Sequence, residues 1–159
     1  MRAHLIIIPL LVGCGPDTVI EGSVAGKALD EPGTLFWGGP FVILADRDLT
    51  CMDVAFARST YSAGVSPTDF DFVGLQFHFN DAEVFEGVFS VVGDAPVHAK
   101  ALVVEGGAFI DYVARSGTLE IDTWDDRGTI EGKFDVGFGD EGSWSAEFFD
   151  AEWCLNLER

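Results

Sequence analysis

The sequence is short of positive charge: nine Lys and Arg stand against 27 Asp and Glu, a formal net charge of −18 over 159 residues. A surface so negative repels nucleic-acid phosphate and anionic lipid, which excludes DNA, RNA and acidic headgroups as partners. Histidine is scarce as well, with three in the chain. Neither a His-Glu-x-x-His pattern nor paired cysteines supply a zinc ligand set, so no metal residues are assigned. His78 alternates with Leu75, Phe77 and Phe79 on what should be a polar face, which reads as a solvated histidine. The Gly-x-Ser-x-Gly nucleophile turn is missing: Gly142-Ser143-Trp144-Ser145-Ala146 departs from it at the last position and falls in a hairpin. Glycine-rich phosphate loops and EF-hand loops are missing too. Carboxylates are so abundant that no pair singles itself out as the acid and base of a glycosidase. The chain therefore reads as no enzyme, with no catalytic residues and no cofactor.

Long apolar runs are also lacking where a membrane span would need them. Leu5 through Val12 is an uncharged run of eight residues, preceded by Arg2 and interrupted by Pro9, whereas a helix crossing a bilayer needs roughly 20. A positive start followed by a short apolar run has the form of a secretory signal. It ends in Leu11-Val12-Gly13-Cys14. This resembles the lipobox of bacterial lipoproteins at all four of its positions. The resemblance implies a diacylglyceryl group on the Cys14 thiol, cleavage between Gly13 and Cys14, and acylation of the new amino terminus. Two or more chains hold a protein stably on a membrane where one binds only marginally. An ordinary signal peptide followed by a chance cysteine is the alternative. Gly15 rather than Asp after the cysteine points, by the same resemblance, to the outer membrane, on its periplasmic or surface face. The expected organisation is a signal peptide at 1–13, a short tether at 14–18 and a β-rich globular domain at 19–159.

With Cys14 set aside for lipid, Cys51 and Cys154 remain, an even pair in an exported chain and the expected signature of one disulfide. The alternative is two separate buried thiols. Residues 14–159 suffice for one domain with a substantial core. Disorder is excluded by 48% apolar residues and fourteen Phe.

Short segments rich in Phe, Val, Ile, Thr and Trp, punctuated by Gly, Asp and Pro, predict an all-β domain: a single antiparallel β-sandwich or curled barrel-like meander with one short helix. Strands are expected near 19–29, 40–45, 70–79, 86–92, 97–104, 108–113, 117–124, 129–138 and 144–150. The helix is expected over 48–58, with Asp48 as its cap. The two carboxy-terminal hairpins carry their own registers. A turn at Asp125-Asp126-Arg127-Gly128 sets Thr123 opposite Ile130, Ile121 opposite Gly132 and Leu119 opposite Phe134. A turn at Asp140-Glu141-Gly142 sets Phe138 opposite Trp144, Val136 opposite Ala146 and Phe134 opposite Phe148. In the 70–79 segment, Phe70 and Phe72 share one parity and Leu75, Phe77 and Phe79 the other, which predicts a bulge at Val73-Gly74.

Several stretches together look like a group of acidic β-rich lipoproteins of myxobacteria and their relatives. They are Val42-Ile43-Leu44-Ala45-Asp46 followed by Cys51, then Gly117-Thr118-Leu119-Glu120-Ile121, Gly132-Lys133-Phe134-Asp135-Val136, and the ending Ala146 to Cys154. The likeness is one of scaffold and implies no activity.

Two weaker constellations remain. The hairpin registers set Asp122 against Glu131 and Asp135 against Glu147 on the outward side, where hard oxygens could hold calcium but a solvated acidic face is the simpler reading. Trp124, on the outward parity of its strand, and Trp37, in a loop, are aromatics suited to a glycan or protein partner, or to covering a sheet edge. The expected function is a noncatalytic lipid-anchored envelope protein, a structural or interaction module whose membrane contact is its lipid. The alternative is a binding protein for a small molecule or glycan, with a cavity inside the curled sheet. A solid core favours the first and a Phe-lined void the second.

Overall fold

The computed structural model describes residues 18–30, 32–55, 71–80 and 84–157, with the Phe148 side chain excepted. Cys14 and the proposed cleavage site lie outside the described residues, as do residues 56–58 of the expected helix and Phe70. Among the described residues, ten strands form one continuous sheet: β1 Glu21–Val24, β2 Thr34–Gly38, β3 Phe41–Ala45, β4 Phe72–Phe79, β5 Gly87–Ser90, β6 Val97–Glu105, β7 Ala108–Val113, β8 Ser116–Trp124, β9 Thr129–Gly137 and β10 Gly142–Trp153. Their order is β5-β8-β9-β10-β2-β3-β4-β6-β7, with β1 paired to the first part of β10. The fold is all-β, and the sheet curls without closing into a barrel.

Why the sheet curls is visible in which side chains it hides. Phe77 on β4 meets Phe134 on β9 with ring centroids 5.5 Å apart, and Phe79 meets Phe89 at 5.1 Å. The half running β5-β8-β9-β10 is thereby folded onto the half running β2-β3-β4-β6-β7, and one shared core lies between them. Edge-to-face ring geometry in this core, as between Phe138 and Trp144 at 5.8 Å, is the arrangement the ring quadrupoles favour. Trp144 is fully buried, and its indole N–H has no hydrogen-bond partner.

The β8–β9–β10 meander follows its alternating sequence, with two corrections. Leu119 opposite Phe134, Ile121 opposite Gly132 and Glu120 opposite Lys133 stand as the pattern requires. Beyond Ile121 the register shifts, so Thr123 faces Glu131 and Trp124 faces Ile130. In the second hairpin Val136 faces Trp144 and Phe134 faces Ala146. The offset is two residues from expectation, because the turn sits one residue earlier: Gly139–Glu141 forms a 3-10 turn and Phe138 N–H donates to Gly142 O at 2.8 Å. A slip of two keeps every side chain on its face, so the core set survives. A second irregularity between Ala146 and Phe149 reverses parity, and past it Phe149 and Ala151 point inward.

The expected bulge at Val73-Gly74 is not there. β4 pairs without a shift with β3 from Gly74 to His78 and with β6 from Phe72 to Phe79. Phe72 and Val73 are both buried because the strand is covered on both faces: Phe72 packs with Ala45, Leu102 and Val104 outside, and Val73 joins the main core. β3 is likewise buried at all five positions, Val42 and Leu44 inward and Phe41 and Ile43 against an outer cluster with Val54, Cys154 and Leu157.

β2 was not expected. Phe36-Trp37-Gly38-Gly39-Pro40 reads as a loop, yet Thr34–Gly38 pairs antiparallel with β3 and, at Phe36 and Trp37, parallel with the end of β10. The helix lies inside its expected bounds but starts later. Residues 51–55 are helical, and the cap is Thr50 rather than Asp48. Asp53 N–H donates to Thr50 Oγ1 at 3.2 Å while the Asp53 carboxylate accepts Thr50 N–H at 2.9 Å, the reciprocal pair of a capping box.

Candidate functional site

The structure brings together two pairs of the residues singled out above, Cys51 with Cys154 and Trp37 with Trp124, and the cysteines come first. They are joined by a disulfide, Cα atoms 5.5 Å apart and 103 residues apart in sequence. The bond lies where the sheet is narrowest. β10 and β2 share a ladder of only two residue pairs, Glu152 with Phe36 and Trp153 with Trp37. Cys154 N–H extends that ladder by donating to Trp37 O at 2.7 Å. Gly38 makes the approach possible, since any Cβ there would collide with the Cys154 carbonyl. From Cys51 the short helix lies over the outer face of β2 and β3, and Asn156 Nδ2 donates to Cys51 Sγ at 3.6 Å. The site is a staple, and its chemistry is structural.

The aromatic pair reads differently once folded. Trp37 is 4% exposed and belongs to β2, not to a loop. Trp124 shares the inward side with its partner Ile130, because the register shift after Ile121 carries it across. The two rings meet edge to face at 6.3 Å, and Trp37 Nε1 donates to Gly128 O at 3.0 Å. They close the end of the core instead of offering a flat stacking platform for a sugar. Beside them the Arg127 guanidinium lies 5.6 Å from the centre of the Trp153 ring.

The outward acidic pairs also dissolve. Asp122 falls at the irregularity and does not face Glu131, whose partners are Thr123 and Asp150. Asp135 faces Thr118 and Ser145 rather than Glu147. Lys133 does meet Glu120, at 3.1 Å. The hydrogen bond and charge of Glu120, followed by Asp122, raise the Lys133 pKa above its ordinary value. Asp53 moves the other way: the side-chain and then the backbone hydrogen bond from Thr50 hold its carboxyl below the usual value.

His78 and His98 lie opposite each other on β4 and β6, which the sequence alone did not indicate. His78 stacks on Phe41 at 4.7 Å, nearly parallel. Among the described residues no three of His, Cys, Asp and Glu gather in a manner that could hold a metal ion. A surface groove of about 310 Å³ is lined by Lys27, Asp46, Asp71 and Glu105 among others. Each acid there has a local duty: Asp46 accepts from Val73 N–H at 2.9 Å, Asp71 from Gly106 N–H at 2.7 Å, and Glu105 pairs with Lys27 at 3.1 Å. A second open groove of about 380 Å³ runs between Tyr112 and Phe138 with Arg115 and Glu141. Neither joins a nucleophile to a base, and among the described residues Phe77, Phe79, Phe134, Phe149 and Trp144 are buried together in the core between the two halves. Among the described residues no helix is long and apolar enough to cross a membrane. Neither a family model, nor a curated protein, nor a solved structure matches this chain.

Proposed function

We propose that the chain is a noncatalytic, lipid-anchored envelope protein that displays a rigid β domain at a membrane surface, as a structural or interaction module. The observation that carries this reading is Leu11-Val12-Gly13-Cys14 at the end of a short apolar run behind Arg2. The Cys51–Cys154 bond supports export, since such bonds persist in oxidising compartments outside the cytoplasm. The packed aromatic interior supports a scaffold over a container for a small molecule. Gly15 favours the outer membrane. A protein or glycan of the envelope is the partner class that a stapled, uncharged-cored and acidic-surfaced domain suits.

The test is the intact mass of the membrane-extracted protein, alongside fractionation of a Cys14→Ser variant. A chain beginning at Cys14 with diacylglyceryl and acyl mass, lost from the pellet on substitution, is expected. A Cys14→Ser protein that stays in the membrane pellet sinks the reading.

A further inference from the structure

The strands define two ends of the molecule, and the ends are unlike. One end gathers the β8–β9 turn at Asp125–Gly128, the β2–β3 turn at Gly39-Pro40, and the terminus of β10. Val84 to Glu86 crosses the same end, with Val84 N–H donating to Gly39 O at 3.2 Å and Glu86 accepting from Trp124 N–H at 3.3 Å. Three of the four Trp, at 37, 124 and 153, fall in this end. Phe85 stands over Phe79 and Phe89 there and remains 48% exposed. Leu155, immediately after the staple, is also 48% exposed. Arg127 adds a cation beside Trp153. The opposite end presents Asp46, Asp71, Glu105, Asp140 and Glu141 at its turns.

The chain enters the described structure beside β10. Thr18 hydrogen-bonds with the backbone N–H and the carboxylate of Asp150, both at 3.4 Å, and Glu21 is level with Ser145. From Thr18 to Glu21 the path therefore leads away from the Trp-rich end. Thr18 is the fourth residue after Cys14, so covalent geometry keeps the Cys14 Cα within about 14 Å of Thr18 Cα. A bilayer holding that cysteine's lipid therefore lies close to the domain on the side of Thr18. The flank beside it carries Glu131, Glu147, Asp150 and Glu152, which an interface disfavours, and the Trp-rich end lies three residues of strand further along β10.

We infer that the domain rests on the bilayer by this end, with Phe85 and Leu155 inserted among the lipids and Trp153 and Arg127 at headgroup level. The inference rests on the lipid anchor proposed above. Indole rings favour that depth because one edge is apolar and the other donates a hydrogen bond. Asp125, Asp126 and Glu86 at the same end oppose anionic lipid, so the contact calls for a zwitterionic surface. The lipid chains supply the hold, and the aromatic end supplies orientation.

The experiment uses the full lipidated protein reconstituted in phosphatidylcholine vesicles, with or without bromine on the acyl chains as a contact quencher of indole fluorescence. Variants Phe85→Trp and Leu155→Trp report on the proposed contact, and Ile110→Trp on β7, far from it, reports on solvent. The expected result is that the added emission at 85 and 155 falls at least two-fold in brominated vesicles while that at 110 does not. Protein that floats with the vesicles but shows equal emission at 85, 155 and 110 in both overturns the orientation and leaves the anchor standing. Protein that fails to float at all overturns both.

Discussion

The disulfide gives the sharpest test of how this fold is held. Its removal in a Cys51→Ala/Cys154→Ala variant opens a loop with a sequence separation of 103 residues. In the chain-entropy model, releasing such a loop in the denatured ensemble lowers stability by about 4.7 kcal/mol. Cys154 is fully buried among Phe41, Ile43, Val54 and Leu157, so truncation also leaves a small void there, worth about 1 kcal/mol at most. Against a total stability of roughly 5 to 15 kcal/mol this is a third or more. At roughly 2 to 4 °C per kcal/mol for a domain of this size, the melting temperature should fall by about 10 to 20 °C. Urea unfolding followed by Trp fluorescence measures it, with a steeper slope expected because the denatured chain without the cross-link is less compact and exposes more surface. The single Cys51→Ala variant should lose nearly as much, because one sulfur cannot close the loop. A loss below about 1 kcal/mol in both would refute the reasoning and show that the two-pair ladder between β10 and β2 holds the seam unaided.

Further outcomes follow from single sites. Gly142→Ala forces a Cβ into the Ser23 carbonyl at a backbone φ of +109° and should cost about 3 kcal/mol or more, whereas Gly26→Ala, at φ +74° in open space, should cost about 1 kcal/mol; equal urea midpoints would contradict this. Trp144→Phe gives up about 1 to 2 kcal/mol of burial and packing but removes a partnerless indole N–H costing about 1 to 3 kcal/mol, so its unfolding midpoint should barely move, while Trp144→Ala should lose about 3 to 5 kcal/mol. Asp53, with its pKa depressed by Thr50, stabilises the helix start above its unfolded value of 3.8, a contribution lost as pH falls through the depressed value; a carboxyl titration by NMR with a midpoint at or above 3.8 would be the contrary result. Lys133 has the opposite sign: its raised pKa gives stability complete below 10.5 that fades as pH rises through the folded value, and Glu120→Gln should return its titration toward 10.5.

Most of the strands were legible because one face of each is wet and period two marks the dry one: β8, β9 and the start of β10 place Leu119, Ile121, Phe134, Val136 and Trp144 inward as their alternation requires. What was not legible is instructive by mechanism. β2 was hidden behind Gly38-Gly39-Pro40, residues that punctuate turns. Gly38 is there for a different reason, because the Cys154 carbonyl occupies the space of its missing Cβ, and that neighbour is 116 positions away. The false bulge in β4 arose because burial on both faces imitates a change of phase: Phe72 is inside an outer cluster that no local pattern announces. The two real irregularities did leave a trace, an inward spacing of three between Ile121 and Trp124, and again between Ala146 and Phe149, where two is the rule.

Those two irregularities also explain why the Trp-rich end exists. Without the shift after Ile121, Trp124 would face outward. With it, the ring turns onto Trp37, which is itself fixed to Gly128, whose carbonyl takes both the Trp37 indole N–H and the Trp153 backbone N–H at 3.0 Å each. Without the reversal after Ala146, Trp153 would leave the core side of β10 and Cys154 would be turned from Cys51. One extra residue in each strand thus brings the hairpin turn, the parallel ladder and the staple to a single point, the place where an antiparallel meander that began as an open ribbon is joined to the other half of its own sheet. The same geometry predicts that Gly128 is more sensitive than its exposure suggests. Its carbonyl serves two donors from two strands, so changes that move it, such as Asp125→Pro in the turn whose Asp125 carbonyl accepts Gly128 N–H at 2.9 Å, should loosen Trp37, Trp153 and the Cys154 ladder together.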